Sequence, residues 1–269
     1  MNISVSELNV YPVKSCAGIP LWKAELDQRG IKHDREFMIV EAQNGKYVTQ
    51  RQKPRMALIQ PALYEGLIEL RAPNMPKLEA AIRLEGESID ASVRDIPCKA
   101  VDQGPEAARW VSRFIGGDYR LVRMAEDFIR PAGSAAPNGQ VSFADAYPLL
   151  VVSEESLADL NARIGYDIKM NRFRPNIVIK GSDAPYIEDK LSKIRINGID
   201  FDIVKPCVRC NITLVEQESA KIGKQPLASL NEYRRNSEGK VEFAQNAVHK
   251  NNGTIRIGDT VEIIDYKKR

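Results

Sequence analysis

Soft metal ligands are scarce in this chain of 269 residues: two histidines, His33 and His249, and four cysteines, at positions 16, 98, 207 and 210. A structural zinc takes about four such ligands, usually as two close pairs, and the sequence holds a single Cys-x-x-Cys, Cys207 to Cys210. So few cysteines in so long a chain exclude a disulfide framework. No apolar run reaches the roughly 18 residues that a membrane-spanning helix needs. The opening MNISVSELNVYPVKS lacks the basic-then-apolar order of a secretory signal. A reducing cytoplasm is the expected location. There is no long Lys/Arg run, and the net charge is only +3. That excludes a dedicated binder of nucleic acid polymers but leaves room for a local cationic pocket for a small anion.

What the chain does have is a soluble composition, 43% hydrophobic and 28% charged, enough for one large or two small cores. Its dominant pattern is short apolar alternation broken by X-Gly turns. FMIVEA-QNGK-YVT and IRI-NG-IDFDIV both have Asn-Gly between alternating arms, the signature of tight hairpins. Glu65-Gly66 and Glu85-Gly86 are expected to serve likewise, and TIRIGDTVEII alternates on both sides of Gly258-Asp259. The fold expected is mainly β with flanking helices (α+β), its strands mostly antiparallel and curled into barrels. Three helices are predicted. Pro105 opens EAARWVSRFIG, Ser153 caps EESLADLNARI, and Pro226 opens LASLNEYRR. RPAGSAAPNGQ, from Arg130, is a loop near a boundary between halves.

The sharpest local feature is KPCVRCN, Lys205 to Asn211. It is open to four readings: half of a zinc site that lacks partners, a redox dithiol that lacks a following helix, two packed thiols, or one thiolate on a redox metal already held by sulfur. NITLV after it is expected to be a strand. Arg209 would favour an ionised Cys210 if its side chain turned that way. Lys14 and Ser15, in PVKSCAG, offer a cation and a hydroxyl for a phosphate. Arg35 opens a strand between Asp34 and Glu36, and Arg174 and Asn176 sit at a strand entry in NRFRPNIVIKG. Taken singly, each has a bland explanation as a solvated loop lysine, a surface ion pair or a turn residue.

Their order changes that judgement. PVKSCAG, RGIKHDREFMIV, TQRQKPRMALI, FADAYPLLVVSEESLADLNARI, NRFRPNIVI and PCVRCNITLV, in this order, resemble the MOSC proteins that carry an N-terminal MOSC-associated β-barrel. That family includes the mitochondrial amidoxime-reducing components and bacterial hydroxylaminopurine-resistance proteins. The resemblance implies two barrel-like halves, residues 1–122 as the N-terminal barrel and 123–269 as the MOSC domain. It implies a molybdenum–molybdopterin cofactor with Cys210 as the metal ligand and Cys207 as a non-ligand. It carries pterin and phosphate contacts over to Lys14, Ser15, Arg35, Arg174 and Asn176, and backbone contacts to Val208 and Arg209. Ala146 and Tyr147 take cofactor-contacting positions. Asn246 stands where mitochondrial members have a tyrosine, and Ala146 where they have a hydroxyl. Asp145, from its place in FADAYP, is a candidate proton carrier. The implied activity is reduction of N-hydroxylated small molecules, such as hydroxylaminopurines and amidoximes. Electrons would come from an external ferredoxin- or flavin-type donor, since no four-cysteine cluster pattern is available. The alternative is sulfur carriage on a Cys210 persulfide, or carriage of the cofactor without turnover.

Overall fold

The computed structural model describes residues 2–268. Its architecture is mainly β, with curled half-barrel sheets and flanking helices. The largest sheet has eight strands, in the order Val261–Tyr266, Leu191–Ile196, Ile199–Val208, Glu242–His249, Leu149–Ser153, Ile177–Lys180, Ser4–Val10 and Ile19–Leu21. Pairing is antiparallel except between Leu149–Ser153 and Ile177–Lys180, which run parallel. The helix Glu154–Ile164 lies in the connection between those two strands, as a parallel crossover requires.

Period-two alternation explains why the sheet is covered on both faces. In Leu149–Ser153, Leu149 and Val151 point into one apolar core with Val5, Ile179, Ile194, Phe201 and Ala247. Leu150 and Val152 point the other way, into a second core with Leu160, Phe173, Leu230 and Phe243. The strand triplet Gly253–Arg256, Lys23–Asp27 and Gly30–Ile31 contributes Ile255, Ala24, Leu26 and Ile31 to the first core. The remaining strands form a four-stranded sheet from Phe37–Glu41, Tyr119–Met124, Ile96–Asp102 and Ser88–Val93, and a triplet from Gln60 to Ala81. Over the latter packs Pro105–Ile115, burying Ala107, Trp110, Val111 and Phe114.

The Asn197-Gly198 hairpin forms as expected, with φ of 46° and 77° at its corner. Glu65-Gly66 joins two paired strands as well. Asn44-Gly45 also turns the chain, but the returning arm makes only isolated bridges, Tyr47 to Val40 and Lys46 to Ser92. Glu85-Gly86 and Gly258-Asp259 instead link strands of different sheets. A hairpin missed by the Asn-Gly rule turns at Arg94-Asp95, both in the left-handed region, at φ 51° and 64°. All three expected helices are present, and a one-turn helix, Ile187–Lys190, is added. NITLV is not a strand. Asn211–Leu214 is a 3-10 turn, because the Cys210 carbonyl accepts both the amide and the hydroxyl of Thr213, at 3.1 and 3.0 Å.

Ser153 caps its helix by accepting from the Ser156 amide at 3.2 Å. The same hydroxyl lies 2.9 Å from the buried Glu188 carboxyl. Ser153→Ala therefore removes a cap and strands a buried acceptor, at a cost of about 1–3 kcal/mol. A urea titration should show the midpoint falling with an unchanged slope.

The sheet also decides which loops meet. The Asn9 amide donates to the Asn176 carbonyl, the Asn176 amide to Leu150, and Asn246 stands opposite both Leu150 and Lys205. The chain leaving Ser4–Val10 and the chains entering Leu149–Ser153 and Ile177–Lys180 therefore share one edge. Residues 11–16, 142–148 and 173–176 collect there.

Candidate functional site

Three of the expected site residues sit at this edge in the left-handed region: Ser15 at φ 65°, Arg35 at 49° and Arg174 at 58°. Such backbone is costly for non-glycine residues and concentrates where surrounding structure enforces it for function. It turns Phe173 back over the sheet, where it stacks on Phe243 with centroids 4.2 Å apart.

Tyr11, fully buried, organises the cations. The Arg35 guanidinium lies 4.4 Å from its ring centroid and that of Arg174 4.3 Å. Its hydroxyl donates to the Pro175 carbonyl at 3.1 Å, and burial pushes its phenol up to about 12. Arg35 donates to Asp34, to Asn176 Oδ1 at 3.0 Å and to the Arg174 carbonyl at 3.2 Å. Arg174 donates through Nη1 to the Cys16 carbonyl at 2.6 Å, while its Nη2 is buried without a partner. Burial, and then the charge of Arg35, pull Arg174 down to about 10, so it keeps its charge at neutral pH.

Lys14 completes the group. Its Nζ donates to the Phe143 carbonyl at 2.8 Å and to Asp145 Oδ1 at 2.5 Å. Burial lowers its pKa, opposed by the Asp145 charge. Phe143 in turn donates its amide to the Arg35 carbonyl at 2.9 Å, so one loop ties both cations together. Three cations thus face two carboxylates, Asp34 and Asp145. The cluster has unspent positive charge and an unspent buried donor, which is the chemistry of an anion site.

Asp145 takes a different role from the one expected. Lys14, and then Arg94, hold its carboxyl well below the usual carboxylate range. It is the counter-ion of Lys14 and carries no proton to give at neutral pH. A depressed carboxylate pKa adds stability that is present above the unfolded value of about 3.8 and lost as pH falls through the folded value. Asp145→Asn should accordingly lose stability less steeply than the wild type as pH drops below about 4, measured by denaturant midpoints.

Asn176 spends its side chain inside the protein. Its Oδ1 accepts from Arg35 and from the Leu150 amide at 3.3 Å, and its Nδ2 donates to Asn9 at 3.2 Å. It holds Arg35 rather than offering free donors. Ser15 lends its carbonyl to Gln50 at 2.9 Å, and Gln50 pairs with Gln217. The Ala146 carbonyl accepts from Gly133 at 2.8 Å. Tyr147 lies so close to Gly133 that a Cβ there would sit 2.7 Å from its ring. Ala146 and Tyr147 therefore brace the Arg130 loop.

The two cysteines differ. Cys207 packs against the core that holds Phe173 and Phe243. The Arg209 side chain turns to Cys207 and not to Cys210: its Nη1 donates to Cys207 Sγ at 2.9 Å and its Nη2 to the Phe173 carbonyl at 2.9 Å. The Arg209 backbone amide is held by Val241 at 2.8 Å, and Val208 beside it is exposed. Cys210 is half-buried at the start of the 3-10 turn, and its thiol caps no helix. Asn246 braces the preceding strand through the Lys205 and Pro206 carbonyls at 3.2 and 3.4 Å. Arg209 is thus the strut between the Cys210 turn and the residue that precedes Arg174. Among the described residues no group of three or more His, Cys, Asp or Glu side chains converges as a self-sufficient metal site. A metal here would need most of its ligands from a cofactor.

Sequence comparison decides the family. Residues 2–118 match the MOSC N-terminal beta barrel domain and residues 138–262 match the MOSC domain. The chain belongs to the MOSC family. Among curated MOSC relatives, the mitochondrial amidoxime-reducing component 1 of Homo sapiens is 34% identical over 97% of this chain and 83% of its own length. The mitochondrial amidoxime reducing component 2 of Bos taurus is 35% identical over 86% and 72%. Among solved structures, the YuaD protein of Bacillus subtilis aligns over 97% of this chain and 95% of its own at 14% identity, with a TM-score of 0.46. No helix among the described residues is long and apolar enough to cross a membrane.

Proposed function

We propose that this MOSC protein binds a molybdenum–pterin cofactor and reduces N-hydroxylated small molecules, such as hydroxylaminopurines and amidoximes, with electrons from a separate ferredoxin- or flavin-type donor. The observation that carries the reading is the buried, partnerless Nη2 of Arg174 within a surplus of cations, joined by Arg209 to the turn that presents Cys210. The printed names of the relatives, which describe amidoxime reduction, support the same substrate class.

The residues fit such a group. Lys14, Arg35 and Arg174 would hold the pterin phosphate through charge-assisted hydrogen bonds, with the Ser15 hydroxyl beside them. Cys210 would ligate the metal, a soft donor for a centre already bound by sulfur. Val208, Arg209, Ala146, Tyr147 and Asn246 would line the pterin. Bound, the group supplies two-electron redox chemistry; the chain supplies binding, orientation and electrostatics. Asn176 and Tyr11 fix where the guanidinium groups point. Asp145 holds Lys14 in place and leaves its remaining N–H free for the phosphate. The overall reaction consumes electrons and protons and releases the amine and water. Residues 1–122 form the barrel and 123–269 the MOSC domain in this reading, and the location is cytoplasmic, although the relatives carry mitochondrial names.

The test is turnover. With a chemical reductant as donor, the purified protein should convert 6-hydroxylaminopurine to adenine, and molybdate starvation of the host should abolish the conversion. Equal turnover from starved and fed hosts would contradict the proposal.

A further inference from the structure

Arg130 has no place in the site as described, yet it is 1% exposed and the largest fully buried side chain among the described residues. No carboxylate pairs with it among those residues. Its Nη1 instead donates to the Ser142 carbonyl at 2.8 Å and the Ala144 carbonyl at 2.5 Å, and its Nη2 to the Asp145 carbonyl at 3.2 Å. Its own carbonyl accepts from Val141 at 3.0 Å. Burying a guanidinium without a counter-ion is expensive. A core built only for stability would favour an apolar side chain here.

The loop that Arg130 grips explains the cost. Between Met124 and Leu149 the chain has no helix or strand, only a bridge from Pro131 to Gln140, so no ladder sets its shape. Yet this loop supplies both acceptors of Lys14, the Phe143 carbonyl and the Asp145 carboxyl, and it docks on the Arg35 carbonyl. Of the three carbonyls held by Arg130, those of Ser142 and Ala144 flank Phe143, and the third belongs to Asp145 itself.

We propose that Arg130 is a positioning residue, shaping residues 142–145 into the socket that aims Lys14 at the bound phosphate. The proposal rests on the reading of Lys14 as an anion-holding cation, and its test separates the two. Reductive methylation with formaldehyde and a borane, followed by mass spectrometry, reports how well each lysine is shielded. Arg130→Met should raise the methylation rate of Lys14 by at least about tenfold, the scale of losing charge-assisted hydrogen bonds in a buried site. The other lysines should be unchanged. Arg130→Lys, which keeps the charge but cannot span three carbonyls, should fall between and carries the test if the methionine variant does not fold.

Two controls make the result specific. Ser153→Ala, destabilised elsewhere, should leave Lys14 shielded. Arg174→Met, which loses a phosphate contact but keeps Arg130, should also leave it shielded, so cofactor loss alone does not expose it. Molybdenum and pterin content should fall with Lys14 shielding in the Arg130 variants. Lys14 as protected in both Arg130 variants as in the wild type, or all lysines equally more reactive, would overturn the positioning role. Selective exposure of Lys14 with full cofactor content would support the socket and contradict the role of Lys14 in holding the cofactor.

Discussion

Cys210→Ser should lower the rate of N-hydroxylated base reduction by more than about a hundredfold, whereas Cys207→Ser should stay within about threefold of the wild type. The argument is one of surroundings. Cys207 packs against the core that includes Phe173 and Phe243 and accepts a hydrogen bond from Arg209, so its sulfur is already committed. Cys210 opens a turn whose backbone is fixed by Thr213 while its thiol remains half-buried and caps nothing. Replacing sulfur by oxygen removes a soft ligand that the nearby Cys16 cannot replace, since its thiol is buried and pushed up to about 12. In Cys207→Ser the smaller hydroxyl still accepts from Arg209, so the strut to Phe173 survives. Initial rates with a chemical donor compare the two variants, and equal losses in both would assign the ligand wrongly.

Arg174→Met should separate stability from cofactor binding. The native guanidinium is desolvated and lies over the Tyr11 ring, as does that of Arg35, so two like charges are held close together. Methionine relieves that repulsion and keeps an aliphatic body against the ring. It leaves the Cys16 carbonyl without its donor, which costs about 1–3 kcal/mol. The two effects oppose each other, and replacement of buried charge by apolar volume is often neutral. The denaturation midpoint of the cofactor-free protein should change little. Cofactor retention after exhaustive dialysis should fall by about 10–100-fold, the worth of a buried charge-assisted contact. A midpoint that collapses while retention holds would make Arg174 a structural residue. The expected result is instead the trade of a functional site, whose strain and unspent charge are offset only when the ligand is present.

How much of this was legible beforehand varies with the range of the interaction. Local rules worked where a local cause acts: Pro105, Ser153 and Pro226 open their helices, and Asn197-Gly198 turns its hairpin. They failed where a distant contact or an unusual turn wins. NITLV carries β-branched residues and an apolar pattern, but the Cys210 carbonyl captures Thr213 and closes a 3-10 turn. Arg94-Asp95 turns a hairpin with an arginine at its first corner, where turn rules favour Asn, Asp or Gly. At the site, the cationic residues were visible through their order along the chain. Their support was not. Two guanidinium groups pack over Tyr11 only because the loops at one edge of the large sheet meet the chain entering Phe37–Glu41 of the four-stranded sheet, and the adjacency of Asp34 to Arg35 was its sole sequence trace. The orientation of Arg209 toward Cys207 depends on where Phe173 is carried by the left-handed turn at Arg174, which no residue pattern announces. Asp145 reverses its expected part because Lys14 and Arg94, distant in sequence, both reach it.

The central claim is that one edge of the large sheet, with the Cys210 turn strutted to it, is built to hold a molybdenum–pterin group. Its most direct test is the molybdenum and pterin content of the wild-type protein purified from a molybdate-fed host, by elemental analysis and by the fluorescence of the oxidised pterin. The two should be present in equal amounts, near stoichiometric with the chain. A folded protein holding neither would contradict the account.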